Sequence, residues 1–453
     1  MTDLLTLLQS EIGYDHVTAD PGLRKEFARD ESEQTPVEPD MVVCPDHPLQ
    51  VEILLRLAAE HGFFVTPRGT GTGKSGGAVP VQGGVLLSLH RMRRILDLDA
   101  ENLLAVVEPG VVCEVLQKAA WDAGLFYPPD PASLDTCSLG GNVAENAGGP
   151  RAFRYGVTRE YVLGLEAVRI GGERFDVGHR PVKGVSGYDL TGLLAGSEGT
   201  LAVFTKLILK LIPQPTDPGL LVLHFPDVDA AVRAVTILVQ SRLFPMALEL
   251  MDRTSLEAAR TPGFSFPDKT GGSLLCELEG MRQTPEIATQ VLDALTRCGL
   301  SPLAHEARLE EQTIADAWLA RREVSRNLKS RFSHKISEDV AVPRALLPEL
   351  VAQVTRIASE TGLQSACYGH AGDGNLHVNF LSDQDTGTFG AAVENLFRIT
   401  LLLGGTLSGE HGIGTLKKRF LSAEHAPAAL DMFHAIKNAW DPRGLPNPGK
   451  IFD

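Results

Sequence analysis

The chain lacks any Cys-x-x-Cys pair. Its six cysteines, at 44, 113, 137, 276, 298 and 367, stand far apart, so no zinc or iron–sulfur ligand set is built from them. Scattered thiols of this kind read as reduced and mostly buried, the state kept in the cytoplasm. No window approaches the roughly 18 consecutive apolar residues of a membrane helix. The first residues, Met-Thr-Asp-Leu-Leu-Thr-Leu-Leu-Gln-Ser-Glu, carry no basic stretch ahead of their leucines, so neither a secreted nor a membrane-spanning protein is expected. Positive charge is short as well. With 42 Lys and Arg against 57 Asp and Glu, the formal net charge is −15, a field that repels phosphate backbones and anionic headgroups and argues against nucleic-acid or membrane-surface roles. Internal repeats and low-complexity tracts are absent too.

What is present is enough apolar material for more than one core: 453 residues, 43% of them hydrophobic, where single cores stop growing at roughly 250–300 residues. From about Pro39 to Pro213 short β-rich runs (63–66, 85–89, 103–107, 200–212) alternate with glycine-rich turns and helical windows at 51–61 and 111–123, an α+β pattern. Pro213-Gln-Pro215-Thr-Asp-Pro218 then breaks the chain. Beyond it the order is strand (220–225), helix (228–242), strand (247–251), strand (273–279) and helix (286–298), resembling a ferredoxin-like unit. Helical patterns at 311–328 and 344–361, a strand pair near 366–380 and another helix follow. The boundaries expected are an N-terminal helical segment 1–38, a domain 39–215, a second domain 216–440 and a tail 441–453.

The densest signal is Pro67-Arg-Gly-Thr-Gly-Thr-Gly-Lys-Ser-Gly-Gly-Ala78. A loop so rich in glycine can bring many backbone N–H groups close to one anion, because no side chain blocks the approach and positive φ costs little. It is not a P-loop. The position needing the first glycine holds Arg68, and Gly-Gly-Ala-Val-Pro after Ser75 cannot open the helix that motif requires. No βαβ unit follows, which removes the dinucleotide fingerprint. A surface loop is the bland alternative, but a second cluster, Ser138-Leu-Gly-Gly-Asn-Val-Ala-Glu-Asn-Ala-Gly-Gly149, repeats the texture. Two nests point to one large phosphorylated ligand.

These two runs, together with Gly187-Tyr-Asp-Leu190, Gly196-Ser-Glu-Gly-Thr200, Gly369-His-Ala-Gly-Asp-Gly-Asn-Leu-His377, Gly409-Glu-His-Gly412 and Asn447-Pro-Gly-Lys450, resemble the vanillyl-alcohol oxidase type of FAD-linked oxidases. Within it they are similar to the branch of the glycolate oxidase D subunit, D-lactate dehydrogenase and D-2-hydroxyglutarate dehydrogenase. The resemblance implies a two-subdomain FAD-binding domain of the PCMH type over 39–215, a ferredoxin-like cap over 216–440 that bears the substrate, a C-terminal helical segment, and a tail returning to the FAD domain. It implies that Arg68, Gly69, Thr70, Gly71, Thr72, Gly73, Ser75 and Gly76 hold the pyrophosphate. Gly140, Gly141, Asn142, Gly148 and Gly149 would run along the flavin and its phosphates, and Glu198 and Gly199 would lie toward the ribityl or adenine side. The 67–78 loop has no histidine or cysteine to tether the flavin, so FAD is expected to be non-covalent, with Cys137 and His90 the exceptions to test.

In Asn375-Leu-His-Val-Asn-Phe380 polar and apolar residues alternate, placing Asn375, His377 and Asn379 on one face of a strand. Asp373-Gly374 marks a turn, so His370 can fold back toward His377. Glu410, between glycines and beside His411, supplies a carboxylate. Two imidazoles and a carboxylate suit zinc or manganese with an open position, and the matching residues of dehydrogenases in this branch resemble a metal site. His370, His377 and Glu410 are therefore the expected ligands, with a metal-free polar pocket as the alternative. An imidazole suits proton transfer near neutrality, so His411 is the candidate general base for a substrate hydroxyl, or else it orients Glu410.

In the family's pattern Arg321 and Lys335 match a pair that binds the substrate carboxylate, a task suited to a planar guanidinium. The expected activity is FAD-dependent oxidation of a small D-2-hydroxy acid. Electrons would pass on to a quinone, a cytochrome, an electron-transfer flavoprotein or an iron–sulfur subunit. Two rivals stay open: a non-catalytic flavin-binding subunit of a larger oxidase, and a non-redox FAD enzyme of the same fold.

Overall fold

The computed structural model describes residues 2–452, and the chain falls into two compact units. One takes the chain up to Gly148, then Val157–Gln214, and again from Glu410 onward; the other takes Gly149–Gly156 and Pro215–Gly409. The proline-rich break thus falls between Gln214 and Pro215. The first unit resumes at Glu410, where the sequence reading carried the second domain to residue 440. Gly149–Gly156 belongs to the second unit, where Arg151 forks onto both oxygens of Glu277 at 2.9 and 3.0 Å and Arg154 pairs with Glu279 at 2.5 Å.

In the first unit β1 (Val17–Thr18), β2 (Met41–Val43), β3 (Val65–Arg68) and β4 (Val85–Ser88) form a sheet in the order β1-β2-β4-β3. β2 and β3 flank β4 in parallel, and β1 joins antiparallel, so the expected N-terminal helical segment also contributes a strand. The helix Pro48–His61 connects β2 to β3. Its start is fixed by Pro48 in the first turn and by the His47 ring accepting from the Leu49 N–H, and its end by Gly62 in the left-handed conformation. Val51, Leu54, Leu55 and Ala58 on its inner face pack on Val43, Val65, Val85 and Leu87, all nearly fully buried.

A second sheet holds β5 (Ile95–Asp99), β6 (Leu104–Val107), β8 (Val162–Arg169), β9 (Arg174–Gly178) and β10 (Ala202–Lys210), antiparallel in the order β5-β6-β10-β8-β9. A small pair joins β7 (Leu125–Phe126) to β11 (Ile212–Pro213). The last stretch of chain is stitched into this unit. Asn447, buried at φ 44°, donates from Nδ2 to the Gly77 carbonyl at 3.0 Å and the Glu198 carbonyl at 2.7 Å. Lys450 Nζ, also buried, donates to the Val79 carbonyl at 2.7 Å.

The second unit is built on one seven-stranded antiparallel sheet. β12 (Gly219–Phe225), β13 (Ala247–Asp252), β14 (Gly272–Leu278) and β15 (Ala304–Arg308) follow a βαββαβ course with helices Val228–Gln240 and Glu286–Arg297, in the order β15-β12-β14-β13 of a ferredoxin-like unit. β13 then carries an extension, β17 (Gln364–His370), β18 (Asn375–Ser382) and β16 (His334–Ala341). The helix Glu311–Arg331 lays Ala317, Ala320, Val324 and Leu328 on Met251, Leu275, Tyr368 and Leu381 of this sheet.

Burial pushes the Lys450 ammonium down to about 8, against the opposing pull of Asp30 and Glu198. Between about 8 and the ordinary lysine value the unfolded chain therefore binds the extra proton, and folding gains as pH rises through that window. Thermal melts of flavin-free protein should show wild type gaining stability relative to Lys450→Met between pH 8 and 10; parallel curves would mean that Lys450 titrates normally.

Candidate functional site

In the first unit the two glycine runs meet. A Cβ on Gly69 would collide with the Ser138 hydroxyl and lie 3.7 Å from Gly141 Cα. Ser138 caps the helix Leu139–Glu145 by accepting from the Gly141 N–H at 3.3 Å, and Asn146 ends that helix at φ 55°. A Cβ on Gly140 would lie 2.5 Å from Pro109 Cβ and 2.9 Å from its carbonyl. Backbone stands against backbone here, with Thr70 Oγ1, Ser75 Oγ and Ser197 Oγ sealed from water and bonded to no described residue. Unspent buried hydroxyls beside a glycine cradle are what a polar, phosphorylated ligand would satisfy.

The structure distributes the predicted contacts unevenly. The Arg68 guanidinium donates to the Arg29 carbonyl at 2.7 Å and stacks 5.5 Å from the Phe27 ring centroid. Gly149 opens the segment that belongs to the second unit. Glu198 accepts from the Ile413 and Gly414 N–H groups at 2.8 and 2.7 Å; burial nevertheless holds its carboxyl above the usual range. Glu145, which the sequence reading passed over, is pushed well up by desolvation and by the charges of Glu198 and Asp30. Of the two residues kept as possible flavin tethers, Cys137 is buried with its carbonyl accepting from the Cys113 N–H at 3.0 Å, and His90 shares a 2.8 Å hydrogen bond with Ser88.

The Gly409–Gly412 segment enters this unit at Glu410. A Cβ on Gly148 would lie 2.8 Å from Glu410 Oε2, so the Glu410 side chain rests on the second glycine run. Gly412, at φ 81°, leaves room for Glu145, and its missing Cβ would lie 3.1 Å from Glu198. In the chain His411 stands between these two contacts.

In the second unit His370 and His377 come together as the turn at Asp373-Gly374 requires: their rings are perpendicular, 5.2 Å between centroids. Asp339, wholly buried, places Oδ1 3.7 Å from His377 Nδ1 and is held by the Asn375 amide at 2.6 Å and the Ser408 hydroxyl at 3.1 Å. His370 Nδ1 meets Glu249 Oε1 at 2.5 Å. Glu249 Oε2 in turn accepts from Arg321 Nε and Nη2, each at 2.7 Å, while the guanidinium lies 4.7 Å over the Tyr368 ring. Burial alone would raise the Glu249 pKa, but His370 and Arg321 bring it down to about 2. Lys335 Nζ bonds the Ser325 hydroxyl at 3.0 Å, one turn along the helix from Arg321, whereas Arg322 faces solvent. Glu249 and Asp339 were missed as site residues. The signal for Glu249 was there: a lone acid inside the apolar strand Ala-Leu-Glu-Leu-Met, where a charge survives only if paired.

With this geometry in place, comparison with known proteins is direct. Residues 39–178 match the FAD binding domain family, and residues 214–451 match the family of FAD linked oxidases, C-terminal domain. The chain is 36% identical to the glycolate oxidase subunit GlcD of Bacillus subtilis over 431 residues, 94% of this chain and 92% of that one. It is also 36% identical to a D-lactate dehydrogenase of Archaeoglobus fulgidus, with 91% of each covered. The fold superposes on p-cresol methylhydroxylase with a TM-score of 0.82 at 19% identity, covering 100% of this chain and 97% of that chain. The chain belongs to the FAD-linked oxidases, and it is an FAD-dependent oxidoreductase. No described helix is long and apolar enough to cross a membrane.

The cradle can be tested at its tightest point. Gly69→Ala should displace Ser138 and cut the flavin carried by purified protein severalfold, read as the ratio of flavin to protein absorbance; full occupancy would place the cofactor elsewhere.

Proposed function

We propose that this enzyme oxidises a small D-2-hydroxy acid, of the glycolate, D-lactate or D-2-hydroxyglutarate type, to the 2-oxo acid. The observation that carries the reading is the placement of His411 in the FAD-binding unit, between Glu410, which rests on Gly148, and Gly412, which packs on Glu145 and Glu198. A histidine at that point of the chain in the flavin-binding unit suits a base that takes the substrate hydroxyl proton. Arg321 and Lys335 bind the substrate carboxylate, and the 67–76 loop with Gly140, Gly141, Asn142, Gly148, Gly149, Glu198 and Gly199 holds the cofactor non-covalently. When bound, FAD would supply the hydride acceptor, with a quinone, a cytochrome, an electron-transfer flavoprotein or an iron–sulfur subunit as the onward electron acceptor.

His370 and His377 would be ligands of a divalent metal, zinc or manganese. The second unit fits this: two buried imidazoles converge, and the Nδ1 of one is anchored on a carboxylate, the usual outer support of a metal-bound histidine. Such an ion lowers the pKa of a coordinated hydroxyl.

Anaerobic addition of D- and L-lactate, D- and L-2-hydroxyglutarate and glycolate should bleach the oxidised-flavin spectrum with one D-acid or glycolate and leave the L-acids inert; a flavin untouched by all five overturns the substrate class. His411→Ala should lower turnover by ~10²- to 10⁴-fold with flavin content unchanged, and unchanged turnover would remove His411 from the proton transfer.

A further inference from the structure

Glu249, the carboxylate behind His370, also holds Arg321, and nothing assigned so far uses that second link. It lies on β13 directly opposite His370 of β17 in antiparallel register, and it is completely buried. The Met251 side chain, two residues along β13, packs under the helix Glu311–Arg331, so an ionised carboxylate shares this face with apolar contacts. Burying an Arg–Glu–His set is a poor source of stability, because desolvation consumes most of what pairing returns, and well-packed apolar residues do as well or better. The arrangement therefore calls for a reason other than holding the fold together.

Its geometry supplies one. Oε1 takes the proton side of His370 Nδ1 at 2.5 Å, which fixes the tautomer of a neutral ring and leaves the Nε2 lone pair as its donor. Oε2 alone receives both Nε and Nη2 of Arg321, at 2.7 Å each, and the Tyr368 ring beneath the guanidinium removes the remaining freedom to swing. The two oxygens of one carboxylate thus set the orientation of one guanidinium and one imidazole, from residues 72 and 121 positions away in sequence.

We infer that Glu249 is a positioning residue that presets Arg321 for the substrate carboxylate and His370 for the metal as one rigid unit. This rests on the proposed roles of Arg321 and His370, and the test separates the two claims. Glu249→Gln, Glu249→Asp, Arg321→Ala, His370→Ala and the double variants are purified as flavoproteins. Zn²⁺ affinity is measured by chelator competition and oxalate affinity by perturbation of the flavin spectrum, with flavin content and melting temperature as controls of folding. Glu249→Gln should weaken Zn²⁺ binding by ~10- to 100-fold and oxalate binding at least about tenfold, and Glu249→Asp, which keeps the charge, should recover part of both. The effects of Arg321→Ala and His370→Ala on oxalate should be non-additive in the wild-type background and additive in Glu249→Gln, a change that a merely structural residue would not produce.

Zn²⁺ and oxalate binding within twofold of wild type in Glu249→Gln overturns the inference. If Glu249→Gln does not fold, the same comparison in Glu249→Asp decides it: unaltered binding and unaltered non-additivity reject the role. If Arg321→Ala and His370→Ala themselves leave both affinities unchanged, the proposed site has failed, and the inference with it.

Discussion

Gly69 lies so near the Ser138 hydroxyl that no side chain fits between them, and the flavin-binding unit is organised around that approach. A Cβ there would displace the Ser138 hydroxyl, and glycine instead leaves backbone N–H groups open to face an anion. The same constraint explains Gly140 against Pro109 and Gly148 against Glu410. Each glycine trades conformational freedom in the unfolded chain for a contact that only bare backbone can make. The hydroxyls of Thr70, Ser75 and Ser197, buried with no described partner, carry a cost that a polar ligand would offset.

The second unit works on the opposite principle, with charge placed where water is absent. A ferredoxin-like sheet extended by β17, β18 and β16 brings Glu249, His370, His377 and Asp339 together. The helix above the sheet delivers Arg321. Regular strand register does the positioning: Glu249 faces His370, and Asp339 faces His377, because those residues are ladder partners. A site built on strands holds its groups more firmly than one built on loops.

The sequence made some of this legible and hid the rest for identifiable reasons. The helix Pro48–His61 was readable over 51–61 because its apolar spacing is regular, while its proline-led first turn was not assigned. The ferredoxin-like course was readable because β12, β13 and β14 are apolar runs between amphipathic helices. β15, Ala-His-Glu-Ala-Arg, and β16, His-Lys-Ile-Ser-Glu-Asp-Val-Ala, were not seen as strands, and they are the two edges of the sheet, where polar residues blunt unpaired backbone. The helix Leu139–Glu145 was hidden by its own Gly-Gly pair. In the candidate site, the approach of His370 to His377 followed from the Asp-Gly turn, whereas the link from Glu249 to Arg321 depends on the packing of a helix across the sheet, which no local pattern records.

The order in which the chain supplies its parts has a consequence for synthesis. Every strand of the seven-stranded sheet, and the Gly149–Gly156 segment bound to it through Glu277 and Glu279, precedes Glu410. The first unit still waits for Ile413 and Gly414 to reach Glu198 and for Asn447 to bridge Gly77 and Glu198. On the ribosome, where domains fold as they emerge, the later-encoded unit can close first while the earlier one stays open. The residues that tie Glu198 and Gly77 into the first unit are thus made after the whole of the second unit.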